Sequence, residues 1–444
     1  MTPSSRRSFL ARTAAAASAA AVPFPFLRAQ SKTDKKYRTA LIGSGWWGMN
    51  ILRVAVEAGQ SDVVALCDVD SDNLEIAADE VENLTGKAPK QYKDYRELLE
   101  KERIEIAIIA TPDHWHALQT IAAAEAGAHV FVEKPTGHTI QESRAMVNAS
   151  RAADRIVQVG LHRRIGPHHV SGMEFLKSGK VGDVGMVRML VAGGGGPETP
   201  TPNEEPPSNL DWDLYCGPAP LRPYCSNIHP GRFRNYLDFA NGTLGDWGVH
   251  WLDQLLWWSE EKAPKSVYST GGRPIKGDAV FNDKEQTTDA PDHQSAVYEF
   301  ENFTATWEHR RFGGAEADKS PYGCFFYGTK GTLHMGWRDG WTFYPGKKSE
   351  ATIHEAPKFD NVKDGHNLQP LWQDFLTGVE TGKRPVADVE IGHLSTNLSL
   401  LGMLSYKLGR SIQWDGEKEI CPGDDEANAL LKRDYRGDWE YPSV

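Results

Sequence analysis

The chain has 444 residues, with 49 lysines and arginines against 60 aspartates and glutamates, which gives a formal charge of −11. At roughly 100 to 200 residues per domain, this length predicts two or three domains. An acidic chain without a basic run is repelled by phosphate backbones, which argues against nucleic-acid binding. Its five scattered cysteines are too few for a disulfide framework.

Residues 1–30 have the features of an export signal. They contain four arginines and no acidic residue, and residues 13–27 are uncharged and rich in alanine. That stretch is shorter than the roughly 20 apolar residues that cross a bilayer, so we expect no stable membrane anchor. Arg6 and Arg7 lie in the sequence SRRSFL, which resembles the twin-arginine signature, although a chance Arg-Arg pair would look the same. We expect a signal peptide read by the twin-arginine translocation machinery and a periplasmic mature protein.

The next segment contains a dinucleotide-binding fingerprint. Residues 37–42 form a strand-like run, a glycine-rich turn and a helical stretch through Ala58 follow, and residues 63–67 predict a second strand closed by Asp68. A G-x-G-x-x-G turn between a strand and a helix, with an acidic residue about twenty residues further on, is typical of Rossmann folds. The turn consists of Gly43, Ser44, Gly45, Trp46, Trp47 and Gly48.

Each position of this fingerprint has a physical role in holding a dinucleotide. Gly43 permits the tight turn, Gly45 lets backbone amides approach the pyrophosphate, and Gly48 allows the helix to pack closely on the strand. The helix N-terminus places partial positive charge near the phosphates. Asp68 can accept hydrogen bonds from the adenosine ribose hydroxyls and would repel a 2′-phosphate, so NAD is favoured over NADP. The alternative is that the glycines only turn the chain.

Strands and helices continue to alternate through residue 159. Helical periods cover residues 72–84, 95–101, 114–126 and 139–153, and apolar strand-like runs cover 104–110, 129–132 and 156–159. This alternation predicts a doubly wound parallel sheet, an α/β Rossmann domain over residues 36–160. Ligands bind at the carboxyl ends of such strands, so Thr111, Lys134 and Gly160 should face the same crevice as Gly43 and Asp68.

The second half, residues 161–444, predicts an α+β domain with a largely antiparallel sheet. Strand-like runs at residues 186–191, 266–269, 294–300, 303–310 and 322–327 follow one another with few helices between them. Nine of the 26 prolines lie between residues 197 and 230, which predicts a long functional loop over residues 193–235. Its aromatic and polar residues suit either sugar binding or a strap with buried aromatics. Cys216, Cys225 and His229 do not make a complete zinc set, and we predict no metal site.

Four motifs together resemble the glucose-fructose oxidoreductase and inositol dehydrogenase family, Gfo/Idh/MocA. They are the glycine turn, Thr111-Pro112-x-x-x-His116, Glu133-Lys134-Pro135 and Asp246-x-x-x-His250, and they occur in the order found in that family. The resemblance extends from about residue 37 to the C-terminus. It implies an NAD(P)-dependent oxidoreductase that acts on a sugar or polyol, with a homo-oligomeric assembly.

The same resemblance implies roles for individual residues. His250 would be the general acid/base, Lys134 the electrostatic partner of the substrate oxygen, and Asp246 the positioning carboxylate; residue type leaves open whether lysine or histidine moves the proton. Arg164 is either a cofactor contact or half of a structural salt bridge. The remaining cofactor contacts implied by the motifs are Thr111, Pro112, His116, Glu133 and Lys134.

Export and a nicotinamide cofactor place a joint constraint on the function. Free nicotinamide cofactor is scarce outside the cytoplasm, so we expect a tightly bound NAD that is regenerated in place. One alternative is a redox-neutral enzyme that cleaves or isomerises a glycoside with bound NAD. A second is a non-catalytic carbohydrate-binding module, against which the intact Lys134, Asp246 and His250 argue.

Overall fold

A computed structural model describes residues 35–358 and 364–443 of the chain. The signal peptide predicted for residues 1–30 lies outside these described residues. Within them, no helix combines the length and the apolar content that crossing a membrane requires.

The N-terminal half is built on a six-stranded sheet in which all neighbouring strands are parallel. The strands lie in the order β3-β2-β1-β4-β5-β6, and the whole of β4 is buried, as expected for a strand covered on both faces. This is the Rossmann-like sheet that the alternating pattern predicts, with the short β3 added. The strands are β1 (Tyr37–Ile42), β2 (Ser61–Cys67), β3 (Lys90–Tyr92), β4 (Ile106–Ile109), β5 (His129–Val132) and β6 (Val157–Val159).

Helices connect these strands, and local side chains fix where two of them begin. The Asp70 carboxylate caps one helix by accepting a hydrogen bond from the backbone of Asp72, and Thr139 and Glu142 form a reciprocal capping box on another. The helices are α1 (Trp46–Glu57), α2 (Ser71–Thr85), α3 (Tyr95–Lys101), α4 (His116–Glu125) and α5 (Ile140–Ala152).

The C-terminal half contains a nine-stranded mixed sheet in the order β16-β15-β14-β13-β7-β12-β11-β9-β17. Every neighbouring pair in it is antiparallel except β7 and β12, so the largely antiparallel prediction is confirmed. Its strands are β7 (Val184–Ala192), β9 (Ser266–Gly272), β11 (His293–Glu299), β12 (Thr304–Arg310), β13 (Tyr322–Gly328), β14 (Gly331–Gly336), β15 (Trp341–Pro345), β16 (Ile353–Glu355) and β17 (Ile412–Gln413).

Helices cover one face of this sheet and reach back to the parallel sheet. The longest of them packs against α5, against the helix that carries His250 and against β9. Trp251 and Trp307 are completely buried in the core between these helices and the sheet. These helices are α6 (Pro167–Lys177), α8 (Val249–Ser259), α10 (Val389–Leu408) and α11 (Asp425–Ala429). A further helix, α9 (Leu368–Thr381), packs against α1 of the other half.

The loop predicted over residues 193–235 has two short elements and a buried core of its own. Strand β8 (Thr201–Pro202) pairs with β10 (Glu285–Gln286), and helix α7 spans Trp212–Cys216. Trp212 and Tyr215 are buried in an aromatic cluster, as in the strap interpretation of this loop. We call residues 209–234 the strap, because they cross onto the carboxyl edge of the parallel sheet: the backbones of Ser71 and Asn209 are joined by a hydrogen bond of 2.8 Å.

Candidate cofactor and active site

The strap and the parallel sheet together enclose a cavity of about 500 Å³, a size typical of small-molecule sites. The sheet contributes the residues that follow β1, β2, β4 and β5, which are the positions at which a doubly wound sheet binds ligands. The strap contributes the opposite wall. Its lining residues are Leu214, Tyr215, His229, Gly231, Phe233 and Arg234.

The glycine turn leaves room for a dinucleotide in the way that its fingerprint predicts. Gly43 has φ of +91°, and a Cβ atom there would lie 2.7 Å from the backbone of Ala110. A Cβ atom on Gly48 would lie 2.1 Å from the Gly43 carbonyl oxygen, so only glycine lets α1 approach the turn. Gly45 lines the cavity, and no atom lies within 4 Å of the position its Cβ would take. This open space beside the helix N-terminus fits a bound pyrophosphate.

Asp68 lies where the adenosine ribose of a Rossmann cofactor is bound. Its Oδ2 accepts hydrogen bonds from the Ser44 amide at 2.7 Å and the Ser44 hydroxyl at 3.0 Å, and its Oδ1 accepts one from the Asp70 amide. Burial raises the pKa of Asp68, and these hydrogen bonds oppose the rise. Asp68 lines the cavity and Ser44 does not. The Ser44 amide and hydroxyl thus hold Asp68 in position, and a contact between Ser44 and the cofactor stays a prediction.

The loop after β4 is tied to the loop after β5 by His116. The two ring nitrogens of His116 lie 2.6 Å from the Pro135 carbonyl oxygen and 2.8 Å from the Thr111 carbonyl oxygen. Burial lowers the pKa of His116 to about 4, although the two carbonyl contacts oppose the fall. Thr111, Pro112 and His116 all line the cavity, as the sequence predicts. Trp46 and Trp47 of the glycine turn also line it.

Lys134 and Asp246 meet beside the cavity across 112 residues of sequence. The Lys134 ammonium contacts the Asp246 carboxylate and donates to its backbone oxygen at 3.1 Å, and Arg234 Nε donates to the same carboxylate at 3.1 Å. Burial alone would raise the pKa of Asp246, but the two cations outweigh it and lower the pKa to about 2. Lys134 lines the cavity, whereas Asp246 contacts the Lys134 ammonium and does not itself line the cavity.

His250 lies one helical turn after Asp246, at the start of α8, and does not line the cavity. Its side chain is almost completely buried, with its ring 5.2 Å from that of His162 and 5.1 Å from that of Trp337, measured between centroids. Burial, with Lys134 and Arg163 nearby, lowers its pKa well below the ordinary value. The Nδ1 of His250 has no hydrogen-bond partner among the described residues.

Arg164 and Gly160 are not at the positions predicted for them. Arg164 Nε donates to both carboxylate oxygens of Asp253, at 2.8 and 3.1 Å, and lies outside the cavity lining. The salt-bridge alternative is thus what the structure shows for Arg164, because the buried Asp253 carboxylate requires a cation. Gly160 packs instead against the carboxyl group of Glu133, a residue that does line the cavity. All five cysteines are buried free thiols, so Cys216 and Cys225 form no disulfide.

Several cavity residues were not predicted as site residues from the sequence. Asp113 lies inside the Thr111-to-His116 motif, and its place in the loop after a buried strand could have identified it. Tyr215, His229 and Arg234 belong to the loop whose aromatic and polar residues suit either sugar binding or a strap, and only the structure shows that they line this cavity.

Comparison with known proteins identifies the family. Models of the Gfo/Idh/MocA oxidoreductase family match the NAD-binding Rossmann fold over residues 37–161 and the C-terminal alpha/beta domain over residues 196–309 and 327–441. The chain belongs to the Gfo/Idh/MocA family. By that membership it belongs to a family of oxidoreductases with an NAD-binding Rossmann fold, and the predicted resemblance is confirmed.

The curated relatives match over about a third of this chain. A glycosyl hydrolase family 109 protein of Stenotrophomonas maltophilia is 38% identical over 143 residues, which are 31% of this chain and 31% of that protein. Inositol 2-dehydrogenase of Salmonella typhimurium is 30% identical over 152 residues, 34% of this chain and 44% of that enzyme. The chain thus spans less than half of the length of each of these two relatives.

Solved structures of Gfo/Idh/MocA type resemble the chain over most of its length. The WlbA dehydrogenase of Bordetella pertussis, in complex with NADH and UDP-GlcNAcA, has a TM-score of 0.62 at 18% identity, covering 86% of this chain and 99% of that one. A levoglucosan dehydrogenase in complex with NADH and levoglucosan has a TM-score of 0.64 at 18% identity, covering 85% and 99%. At these identities the likeness is one of fold.

Proposed function

We propose that the protein is an NAD-dependent oxidoreductase that transfers a hydride between NAD and a carbon bearing a carbohydrate or polyol hydroxyl group. The observation that carries this proposal is the Lys134 ammonium, held by Asp246 at the edge of the cavity that the glycine turn and Asp68 also line. Inositol 2-dehydrogenase and levoglucosan dehydrogenase among the relatives support the substrate class.

The chain's own residues would bind NAD along the cavity. The open space over Gly45 and the N-terminus of α1 would hold the diphosphate, and Asp68 would accept hydrogen bonds from the adenosine ribose. A negative charge at Asp68 disfavours a 2′-phosphate, which supports NAD over NADP. When bound, the nicotinamide supplies the hydride acceptor or donor.

Lys134, Asp246 and His250 would handle the oxygen and its proton. The Lys134 ammonium would hydrogen-bond the substrate oxygen as negative charge develops on it, and Asp246 fixes the position of that ammonium. By the family resemblance His250, which lies outside the cavity lining, would take the hydroxyl proton in oxidation and return it in reduction. Removing either group should lower the turnover rate without releasing NAD.

We also propose that NAD remains bound through the catalytic cycle, and the strap supports this. The strap is joined to the parallel-sheet half by a hydrogen bond of 2.9 Å from the Asp211 amide to the Val69 carbonyl oxygen. The Trp115 indole also donates a hydrogen bond of 2.9 Å to the Tyr215 carbonyl oxygen of the strap. His229 of the strap also contacts Asp70, close in sequence to the Asp68 proposed to bind the adenosine ribose. A cofactor covered by this strap could leave only if the strap opened, which suits an enzyme exported from the cytoplasm.

A second candidate is the redox-neutral cleavage of a glycoside, favoured by the 38% identity to a glycosyl hydrolase family 109 protein. In that chemistry the hydride taken from the sugar is later returned to it, and water replaces the departing alcohol, so no second redox substrate is needed. The two functions differ in their products, since oxidation yields an oxidised sugar and cleavage yields the free sugar and a free alcohol.

The test is to add a panel of sugars, polyols and glycosides to the purified protein. Reduction of bound nicotinamide, followed through its near-ultraviolet absorbance, together with product analysis, would separate the two functions. We expect Lys134→Met and His250→Ala to reduce turnover about 10²- to 10⁴-fold with NAD retained. The exposed Lys262→Met is the matched control. Turnover within about threefold of wild type in both active-site variants would refute these roles.

We further propose export to the periplasm by the twin-arginine route and assembly as a homo-oligomer. The SRRSFL sequence supports the first proposal, and retention of the precursor in the cytoplasm after Arg6→Lys and Arg7→Lys would test it. The membership in the Gfo/Idh/MocA family supports the second, and the mass of the purified protein in solution would test it.

A further inference from the structure

Asp113 is a buried acid that lines the cavity with an unpaired oxygen. It lies in the loop after β4, at the start of a 3-10 turn over Asp113–Trp115, and is only 3% exposed. Its Oδ2 has no hydrogen-bond partner among the described residues. A buried polar atom of this kind costs free energy unless something satisfies it, and such atoms in native proteins usually have a ligand or a catalytic role. The open side of Asp113 is the cavity.

Arg234 approaches the same place from the strap. Its Nε is held by the Asp246 carboxylate at 3.1 Å, and its guanidinium lies 4.5 Å from the centre of the Phe233 ring. Its two terminal nitrogens make no hydrogen bond within the described part of the chain, and the residue lines the cavity. Among the neighbouring charges, Arg234 lowers the pKa of Asp113 the most, and it does so without forming an ion pair with Asp113. The cavity is therefore flanked by an unused acceptor on the sheet side and unused donors on the strap side.

We propose that Asp113 and Arg234 bind a vicinal diol, with Asp113 Oδ2 accepting a hydrogen bond from one hydroxyl and the Arg234 terminal nitrogens donating to its neighbour. This assignment rests on the proposed function and deepens it. Adjacent hydroxyls present a donor and an acceptor side by side, which matches a carboxylate facing a guanidinium. Two ligands of the proposed function carry such a diol: the nicotinamide ribose of NAD and the sugar substrate.

The electrostatics of Asp113 support the assignment and give it a pH dependence. Burial raises the pKa of Asp113 to about 7; Arg234 and Lys134 oppose the rise, and Asp246 adds to it. A hydroxyl that donates to the carboxylate stabilises its ionised form. Binding of the diol should therefore strengthen as the pH rises through about 7 and weaken below it.

The experiment compares wild type with Asp113→Asn and Asp113→Leu, and with Asp278→Asn, an exposed aspartate outside the cavity, as control. NAD dissociation is measured by tryptophan fluorescence and the sugar by its KM, each across the pH range around neutrality. Loss of a hydrogen bond to a charged group predicts a weakening of about tenfold or more. A rise in the NAD dissociation constant assigns the diol to the ribose, and a rise in KM alone assigns it to the sugar.

The assignment is overturned if both constants in the two variants stay within about threefold of wild type. Thermal denaturation shows whether each variant is folded. If neither variant folds, the wild type decides, since pH-independent binding of both ligands around neutrality would equally overturn the assignment. A wild type that turns over no carbohydrate refutes the proposed function instead, and the NAD measurement alone then decides the role of Asp113.

Discussion

Replacing His229 with alanine should accelerate the release of NAD, because His229 fastens the strap to the parallel sheet. His229 Nε2 lies 2.8 Å from Asp70 Oδ2, and the two side chains are 14% and 10% exposed. Burial would raise the pKa of Asp70, but hydrogen bonds from His229 and Asn209 outweigh it and lower the pKa. Asp70 also caps α2, so His229 is the partner whose removal leaves the sheet side intact.

The size of the effect follows from the burial of this contact. A hydrogen bond to a charged partner contributes about 1.5 to 3 kcal/mol, and each 1.4 kcal/mol corresponds to a tenfold change. If NAD leaves only after the strap opens, His229→Ala should speed release about 10- to 100-fold. The exposed ion pair between Lys93 and Asp211 crosses the same boundary, and its removal in Lys93→Met should cost at most about 1 kcal/mol, or under about sixfold.

The assay loads each protein with NAD, mixes it with an excess of a second dehydrogenase that consumes free NAD, and follows the rate of consumption. His354→Ala, on the exposed strand β16, is the matched control. Release from His229→Ala at the rate of wild type and of the control would show that this contact does not gate the cofactor. An equal acceleration in Lys93→Met would contradict the ranking by burial.

Three further predictions concern stability and cofactor binding. Gly48→Ala should destabilise the fold by about 1 to 3 kcal/mol in chemical denaturation, because the new Cβ atom would lie 2.1 Å from a backbone oxygen. Gly45→Ala should leave stability unchanged and weaken NAD binding. Equal stability of the two variants would contradict this difference. Arg164→Gln should cost about 3 to 5 kcal/mol by stranding the buried Asp253 carboxylate, with no change in NAD affinity, and a lost affinity in a folded variant would reinstate Arg164 as a cofactor contact. Asp113 binds its proton more tightly in the folded protein than in the unfolded chain. As the pH rises from about 4 to about 7, the free energy of unfolding of the wild type should therefore fall relative to that of Asp113→Leu, by about 1.4 kcal/mol per pH unit. A difference between the two free energies that stays constant across this range would show that the raised pKa is wrong.

The parallel sheet was predictable because its signals are local. Strands β1 and β5 and helix α3 have the predicted bounds, and the other predicted elements of that half differ by a few residues at most. A strand buried on both faces must be apolar throughout, and the fingerprint of the glycine turn is complete within six consecutive residues. Helix α10 has no such signal: it is buried on most sides, so its apolar residues show no single face.

The amino-acid sequence by itself determined the Rossmann half, the family resemblance and the identity of Lys134, Asp246 and Asp68 as candidate site residues. Only the tertiary structure decided what those residues contact. The pairing of His229 with Asp70 joins residues 159 positions apart, and the salt bridge of Arg164 joins residues 89 apart. Such contacts depend on which surfaces meet after the chain folds, and a residue's type and its neighbours in sequence do not record that.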